Sequence, residues 1–200
     1  TLRVHNMDEL GRDTPCFERL AFPPTATIRA AVGPVEMIHA VEYFSAALDH
    51  YFVTADAREI ADLDGGRHAG WQRTGGTFTV FAAGKSGGTG APVCRFYGLP
   101  SAGLDSHFYT ANADECAEIE AKYPGAWQLE TANAFEVWLP DAVAPHCDPG
   151  SSPILRLWNQ RVDSNHRFTI DGNVLAQMLL RGYVMEGLGA PTPVSMCAPR

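Results

Sequence analysis

The sequence repeats one pattern three times between residues 40 and 199, and this self-similarity constrains the fold more than any other feature. Each copy opens with a charged residue followed by two large apolar residues, and a Thr follows further along. The opening segments are Val41–Phe44, Cys94–Tyr97 and Leu155–Trp158, and the threonines are Thr54, Thr110 and Thr169. Because a unit of this size cannot bury its apolar face alone, the three copies are expected to share one core.

A helix is predicted after each of these threonines. Two residues past the Thr stands a short polar residue that can accept hydrogen bonds from the first turn of a helix. These predicted N-caps are Asp56, Asn112 and Asp171. Glu59 and Glu115 complete a capping-box pattern in the first two copies, whereas the third copy has Val174 at that position. Apolar residues four and seven positions after each cap predict a stripe that packs on the copy's own sheet.

A strand is predicted to close each copy after Gly or Pro has ended the helix and an aromatic residue has followed. The predicted closing strands are Thr77–Phe81, Ala134–Trp138 and Pro193–Cys197. The predicted fold is therefore α+β and β-rich, with three strand-strand-helix-strand repeats closed around a pseudo-threefold axis. An open solenoid is the alternative, but it needs capping units, and the sequence shows none.

The predicted domain organisation is one repeat domain preceded by an N-terminal arm. The repeats span about residues 40–83, 92–139 and 153–199, within a single domain of residues 40–199. A Gly/Ser-rich linker and a Pro-rich linker separate them. Residues 1–39 match no later segment, and one strand is predicted at Ala26–Val32. We expect this segment to pack on the repeats as an arm, or to be the tail end of a longer parent protein.

Composition excludes several classes of protein. The net charge of −8 and the lack of a Lys/Arg cluster argue against nucleic-acid binding. No apolar run is long enough to span a bilayer. The chain begins at Thr1 without the charged and apolar regions of a signal peptide, so we expect that such a segment was removed or never existed.

The five cysteines are widely spaced and form no C-x-x-C pair of the kind seen in zinc or redox motifs. We predict two disulfides, Cys116–Cys147 and Cys94–Cys197, with Cys16 free or joined to a segment outside this sequence. Such bridges indicate an oxidising compartment, and hence a secreted or periplasmic protein. The alternative is five reduced, buried cysteines in a cytosolic protein.

The second elements of the copies resemble a known family. Leu48–Thr54, Asp105–Thr110 and Asp163–Thr169 are similar to the His-Phe-Tyr-Thr repeat domains of unknown function, as is the closing Met196–Pro199. These domains occur as C-terminal modules of secreted bacterial proteins. The resemblance covers about residues 40–199. It implies an exported, non-catalytic accessory module, with no cofactor and no known ligand.

One departure from the repeat concerns the histidines. With the threonines aligned, His107 and His166 coincide, but the first copy has Tyr51 there and His50 one residue earlier. Either a β-bulge re-aims His50 or Tyr51 replaces the histidine outright. His50, His107 and His166 around a threefold axis would suit a metal ion. The favoured alternative is that each imidazole bonds a local backbone group or the preceding Asp.

Catalytic motifs are absent from the sequence. Asp105, Ser106 and His107 are the residue types of a catalytic triad, but adjacent side chains point in different directions. Gly84-Lys85-Ser86 has neither the spacing of a nucleophile elbow nor that of a phosphate-binding loop. We therefore expect no enzyme.

The opening strands carry the predicted binding surface, because adjacent residues of a strand face opposite sides and one large residue of each pair is left outside the core. Aromatic rings beside charged groups are typical of surfaces that contact sugars or protein partners. The candidate ligand-binding residues are Arg95, Tyr97, Asp105, His107, Arg156, Trp158, Asp163 and His166. We expect a binding or accessory module for a glycan or cell-surface polymer. A structural or protein-interaction domain of a larger secreted protein is the alternative, and a metal-dependent hydrolase is less favoured.

Overall fold

A computed structural model describes residues 33–187 and 193–200, together with two short strands nearer the N-terminus. The chain divides into two compact units, Thr1–Ala31 and Val32–Arg200. In the first unit, β1 (Asn6–Met7) pairs antiparallel with β2 (Asp13–Thr14). The predicted strand at 26–32, most of the predicted arm and the cysteine at position 16 lie outside the described residues.

The second unit is β-rich, and each copy contains two strands, a helix and a further strand, in the predicted order. Copy one comprises β3 (Val35–Ser45), β4 (His50–Thr54), α1 (Ala57–Asp64) and β5 (Trp71–Ser86). Copy two comprises β6 (Ala91–Pro92), β7 (Cys94–Gly98), a 3-10 helix (Pro100–Ala102), β8 (Ser106–Thr110), α2 (Ala113–Lys122), β9 (Trp127–Thr131) and β10 (Glu136–Val137). Copy three comprises β11 (Ser151–Trp158), β12 (His166–Thr169), α3 (Gly172–Leu180), β13 (Val184–Met185) and β14 (Val194–Pro199).

The strands of the second unit form three sheets. Their orders are β4-β3-β5-β10-β6, β8-β7-β9 and β12-β11-β13, and β14 also pairs with β11. The predicted closing strand of copy two is only partly right. The strand that closes its own sheet is β9, which begins at Trp127, while β10 pairs with β5 of copy one. Phe135 and Val137 are buried in the core shared by the copies, which accounts for this crossing.

Each helix begins at the predicted N-cap, but the capping box is wrong. The side chains of Asp56 and Asn112 accept hydrogen bonds from the first helical turn, as expected. The backbone N–H of each cap donates a hydrogen bond to the hydroxyl oxygen of the Thr two residues earlier, at 3.0, 3.0 and 3.1 Å in the three copies. This contact explains why a Thr recurs there, and it leaves the Glu59 side chain free to pair elsewhere.

The opening strands alternate between the core and a second face, as predicted. Tyr43, Phe96 and Leu157 are at most 1% exposed. Their neighbours Phe44, Tyr97 and Trp158 are only half-buried. The largest core cluster contains residues of all three copies, among them Val80, Tyr109 and Ile154. All three copies therefore contribute to this cluster, and two smaller clusters of buried residues are separate from it.

Two disulfides are present, but both predicted pairings are wrong. Cys94 is bonded to Cys116, and Cys147 is bonded to Cys197. The first bridge forms because Cys116 lies on the helix stripe that faces the copy's own sheet, and Cys94 lies on the opening strand of that sheet. The second forms because the linker returns past β14, where the backbones of Trp138 and Cys197 exchange hydrogen bonds at 3.0 and 2.8 Å. In the described part of the chain, every helix falls short of the length and apolarity that a membrane span requires.

Candidate ligand-binding clefts

Charged pairs join neighbouring copies along two seams of the same design. At seam 1, between copies one and two, Arg95 of β7 donates two hydrogen bonds of 2.8 Å to the carboxylate of Glu59 in α1. At seam 2, between copies two and three, Arg156 of β11 donates two bonds of 2.9 Å to Glu115 in α2. Bidentate Arg–carboxylate pairs fix geometry as well as adding energy. The equivalent pairs therefore hold two helices in the same relation to the next copy's opening strand.

Seam 3, between copies three and one, carries the same pairing with its charges reversed. Glu42 stands where the other opening strands have Arg, and Arg167 of β12 donates to its two oxygens at 2.9 and 2.8 Å. The side chains are 3% and 10% exposed, so this ion pair is buried. Val174 takes the helix position that Glu occupies at the other seams.

A second set of contacts joins the copies at the beginning of the second strands. His50 Nδ1 lies 2.9 Å from the carbonyl oxygen of Asp105, and Ser106 Oγ donates to the carbonyl of Ser164 at 2.9 Å. Asn165 Nδ2 donates to the carbonyl of Tyr51 at 3.0 Å. The three contacting side chains stand at one repeat position and are at most 2% exposed.

The departure at His50 is explained by this position. The pairing of β3 with β4 is continuous, so there is no bulge, and Tyr51 replaces the histidine outright. Asp49, Asp105 and Ser164 occupy the left-handed turn position, with φ of 55°, 58° and 38°. The residue of copy three that is equivalent to Asp49 and Asp105 is thus Ser164, and Asp163 stands one residue earlier.

The three histidines lie in different surroundings rather than around one point. His50 Nε2 is 3.0 Å from Asp163, whereas His107 and His166 face Glu130 and Glu186 at 3.4 and 2.6 Å. The predicted bond to the preceding Asp is therefore not what orients them. Among residues 33–187 and 193–200, no three or more His, Cys, Asp or Glu side chains are grouped to hold a metal ion.

Cleft A opens at seam 1 and has a volume of about 380 Å³. Its aromatic lining is layered. Trp71 meets Phe52 edge-on at 5.9 Å between ring centroids, and Phe52 lies 4.6 Å from the ring of His107. Tyr97 stands on the other side of His107, at 5.1 Å. Trp71 and Tyr97 are half-buried, so a ligand in the cleft can reach both rings.

The polar groups of cleft A are already paired with one another. Arg95 bridges two carboxylates, since its Nε lies 2.8 Å from Glu130 while its other nitrogens bond Glu59. The hydroxyl of Tyr97 donates to Asp105 at 2.8 Å. Burial and this hydrogen bond raise the pKa of Tyr97 to about 12. The polar groups are therefore held in place before a ligand arrives.

Two carboxylates of cleft A, those of Glu59 and Glu130, have lowered pKa values. Burial alone raises the pKa of Glu59, but hydrogen bonds from Arg95 and Thr54 outweigh it and lower the pKa below its ordinary value. Burial also raises the pKa of Glu130. Contacts with His107 and Arg95 outweigh this effect and lower the pKa below its ordinary value. A glycosidase acid needs a raised pKa. Both glutamates are instead fixed hydrogen-bond acceptors.

Cleft B opens at seam 2 and has a volume of about 340 Å³. Trp127 meets Phe108 at 6.1 Å, and Phe108 lies 4.9 Å from the ring of His166. Trp158 forms the further wall and donates from its indole nitrogen to Ser164 Oγ at 3.2 Å. Burial lowers the pKa of His166, although the nearby Glu186 opposes that shift.

The predicted binding residues separate into two groups. Four of them, Arg95, Tyr97, Asp105 and His107, line cleft A. Trp158 and His166 line cleft B. Arg156 is not in that lining, but it pairs with the lining carboxylate of Glu115 and lies 3.4 Å from that of Glu186. Asp163 lines neither cleft, because it contacts His50 and Arg161.

Sequence reasoning missed the acidic partners of the arginines. Glu59 and Glu115 were assigned to helix capping, and Glu130 and Glu186 were not singled out. The last two stand three residues after Trp127 and Tyr183, so the repeat alignment itself carried the signal. The repeat places an aromatic residue after each helix, Trp71 and Trp127 among them, but it does not show that these two form the walls of clefts.

A comparison with protein families matched residues 40–192 to one family, described as a domain of unknown function (DUF5648). This match covers more than half of the chain. A search of the curated proteins and a search of the solved structures each returned no match.

Proposed function

The chain belongs to the family described as domain of unknown function (DUF5648), and we propose that it is an exported, non-catalytic module that binds a glycan or cell-surface polymer. The ligand is an uncharged or amino-sugar unit that enters cleft A. Export is supported by the two disulfides, which are typical of oxidising compartments.

The observation that carries this proposal is the pair of half-buried rings in a cleft whose polar groups are already oriented. The C–H face of a sugar packs on aromatic rings such as Trp71 and Tyr97, while its hydroxyls need fixed polar partners. Glu59, Glu130 and Asp105 supply acceptors of that kind. A volume of about 380 Å³ lies within the range of small-ligand sites.

The charge of cleft A selects among sugars. Three carboxylates, Glu59, Glu130 and Asp105, line it together with one guanidinium, Arg95. An anionic polymer would meet this excess of negative charge as well as the net charge of −8 of the whole chain. Uronic-acid and sulfated glycans are therefore disfavoured, and a protonated amino group on the sugar is favoured.

We further propose that the three copies close around a pseudo-threefold axis. The support is cyclic. Copy one contacts copy two through Glu59 and Arg95, copy two contacts copy three through Glu115 and Arg156, and copy three contacts copy one through the reversed pair at seam 3. The contacts between the second strands run in the same order around the ring.

Calorimetric titration with three probes tests the proposed function. N-acetylglucosamine oligomers are uncharged, glucosamine oligomers are cationic, and polygalacturonate is anionic. We expect binding to one or both of the first two and none to the third. Trp71→Ala should lower the affinity of cleft A for the sugar by about tenfold, because the loss of a ring contact of about 1.4 kcal/mol corresponds to that factor.

Trp138→Ala is the matched control, since Trp138 packs on Phe81 and lines neither cleft. It should leave the affinity unchanged, with the fold of both variants verified by circular dichroism. Binding of polygalacturonate in preference to the other probes would overturn the assignment. So would the absence of binding to both sugar oligomers, including the case in which only a protein partner binds.

A further inference from the structure

We propose that cleft B is a second ligand site for the same class of sugar, so that one chain binds two units of a polymer while seam 3 binds none. This inference rests on the proposed function of cleft A. Its basis is the residue-by-residue equivalence of two clefts and the filling of the third.

The aromatic layers of the two clefts match in order and spacing. A half-buried Trp follows the helix in copies one and two, and it meets a buried Phe at 5.9 Å in cleft A and 6.1 Å in cleft B. The Phe then meets a His at 4.6 and 4.9 Å. In cleft B these rings belong to Trp127, Phe108 and His166. The half-buried wall beside the histidine is Trp158, at the position of Tyr97.

The polar groups of cleft B match in part. Arg156 pairs with Glu115 as Arg95 pairs with Glu59, but its Nε donates to the backbone carbonyl of Glu186 at 2.5 Å and lies 3.4 Å from the Glu186 carboxylate. Glu118 adds a third carboxylate to the lining. Cleft B therefore has three carboxylates in its lining, with the buried guanidinium of Arg156 paired to Glu115, so negative charge is in excess there as in cleft A. The charge argument that favours an uncharged or amino sugar applies to it unchanged.

The walls of the two clefts differ in one respect that bears on affinity. Trp158 presents a larger ring than Tyr97, and its N–H is already engaged by Ser164. Tyr123, which is 52% exposed, lies in the lining of cleft B, whereas cleft A has His68 in its lining. Cleft B thus offers more aromatic surface, and we expect it to be the tighter site.

At seam 3 the position of the aromatic layers is filled by side chains of the seam itself, and the cleft of about 460 Å³ that opens there beside Glu42 and Arg167 has neither Trp nor Tyr in its lining. Tyr51 replaces the histidine, and the guanidinium of Arg167 lies over its ring at 4.1 Å where the other seams place a Phe. The Tyr51 ring also contacts Phe44 at 4.8 Å, and its hydroxyl lies 3.8 Å from the sulfur of Met178. Tyr183 takes the position of the cleft tryptophans and is 5% exposed. No exposed aromatic wall comparable to Trp71 is therefore left at this seam, as far as the described residues show.

Stoichiometry tests the inference. Native mass spectrometry and calorimetry with the uncharged or cationic trisaccharide that binds should give two ligands per chain. Trp71→Ala and Trp127→Ala should each reduce the strong binding to one ligand, and the double variant should lose both. On a long polymer, each single variant should lose ten- to a hundredfold in affinity, because the second contact acts at a high effective concentration.

Tyr123→Ala provides a second variant for cleft B, since this exposed side chain can be truncated without opening a core cavity. It should weaken one of the two binding events and leave the free energy of unfolding unchanged. One ligand per chain, lost in Trp71→Ala and retained in both Trp127→Ala and Tyr123→Ala, would overturn the inference and leave the proposed function standing. No binding by the unmodified chain would overturn the proposed function itself. Three ligands per chain would contradict the closure of seam 3.

Discussion

The buried ion pair at seam 3 gives a quantitative prediction. Arg167→Met leaves the Glu42 carboxylate, which is 3% exposed, with the Thr74 hydroxyl at 2.6 Å as its remaining side-chain partner. Removing one member of a buried ion pair costs about 3–5 kcal/mol, because the other charge stays buried and uncompensated. We therefore expect Arg167→Met to lower the free energy of unfolding by about 3–5 kcal/mol.

The matched control is Arg95→Met at seam 1. Its partners Glu59 and Glu130 have side chains that are 35% and 31% exposed, so water can solvate both carboxylates once the guanidinium is gone. A loss of about 1–2 kcal/mol is expected there. The double variant Arg167→Met with Glu42→Gln should recover part of the loss seen in Arg167→Met, which corresponds to a coupling energy of about 2–3 kcal/mol.

Urea unfolding followed by tryptophan fluorescence measures these differences as shifts in midpoint at constant slope. A loss in Arg167→Met no greater than that in Arg95→Met would refute the reasoning. So would a double variant whose loss equals the sum of the two single losses, since the residues would then act independently.

Three further predictions concern stability. Burial lowers the pKa of His166 below its ordinary 6.5, so the unfolded chain takes up a proton before the folded chain does as the pH falls. The free energy of unfolding should therefore decrease from pH 7 to pH 5, and it should decrease less steeply in His166→Gln. Equal slopes of unfolding free energy against pH in the two proteins would contradict this. Replacing Cys147 and Cys197 by Ser opens a loop of 50 residues and should cost about 4 kcal/mol in urea unfolding under non-reducing conditions; a loss below about 1 kcal/mol would count against it. Thr110→Val removes the acceptor for the Asn112 backbone N–H at 3.0 Å and should cost about 1–2 kcal/mol, and an unchanged urea midpoint would refute the role given to the repeated Thr.

The parts of the fold that could be predicted from sequence depend on local periodicity. The caps at Asp56 and Asn112 follow from short-range hydrogen bonding, and the structure places both where the repeat predicted them. The alternation of Phe96 and Tyr97 between core and surface follows from strand geometry alone. Neither inference requires knowledge of which copy lies beside which.

The contacts between copies could not be predicted from local sequence patterns. Glu59 satisfies a local capping pattern, yet its partner Arg95 belongs to the next copy, and the pairing depends on the arrangement in space. The bridge from Cys94 to Cys116 was missed for a related reason. The apolar stripe predicts that Cys116 faces its own sheet, where Cys94 lies, whereas the predicted Cys94–Cys197 bridge joins distant parts of the chain.

The reversed pair at seam 3 also restricts which copies can pair with each other through complementary charges. Copy one beside a second copy one would set Glu59 against Glu42, two carboxylates with no guanidinium between them. Copy two differs, because it presents Glu115 towards its successor and Arg95 towards its predecessor. Copy two is thus complementary in charge to another copy two, and a peptide of copy two alone has the charge pattern that a symmetric trimer would need. Copies one and three differ, because the reversed pair at seam 3 makes them complementary to each other.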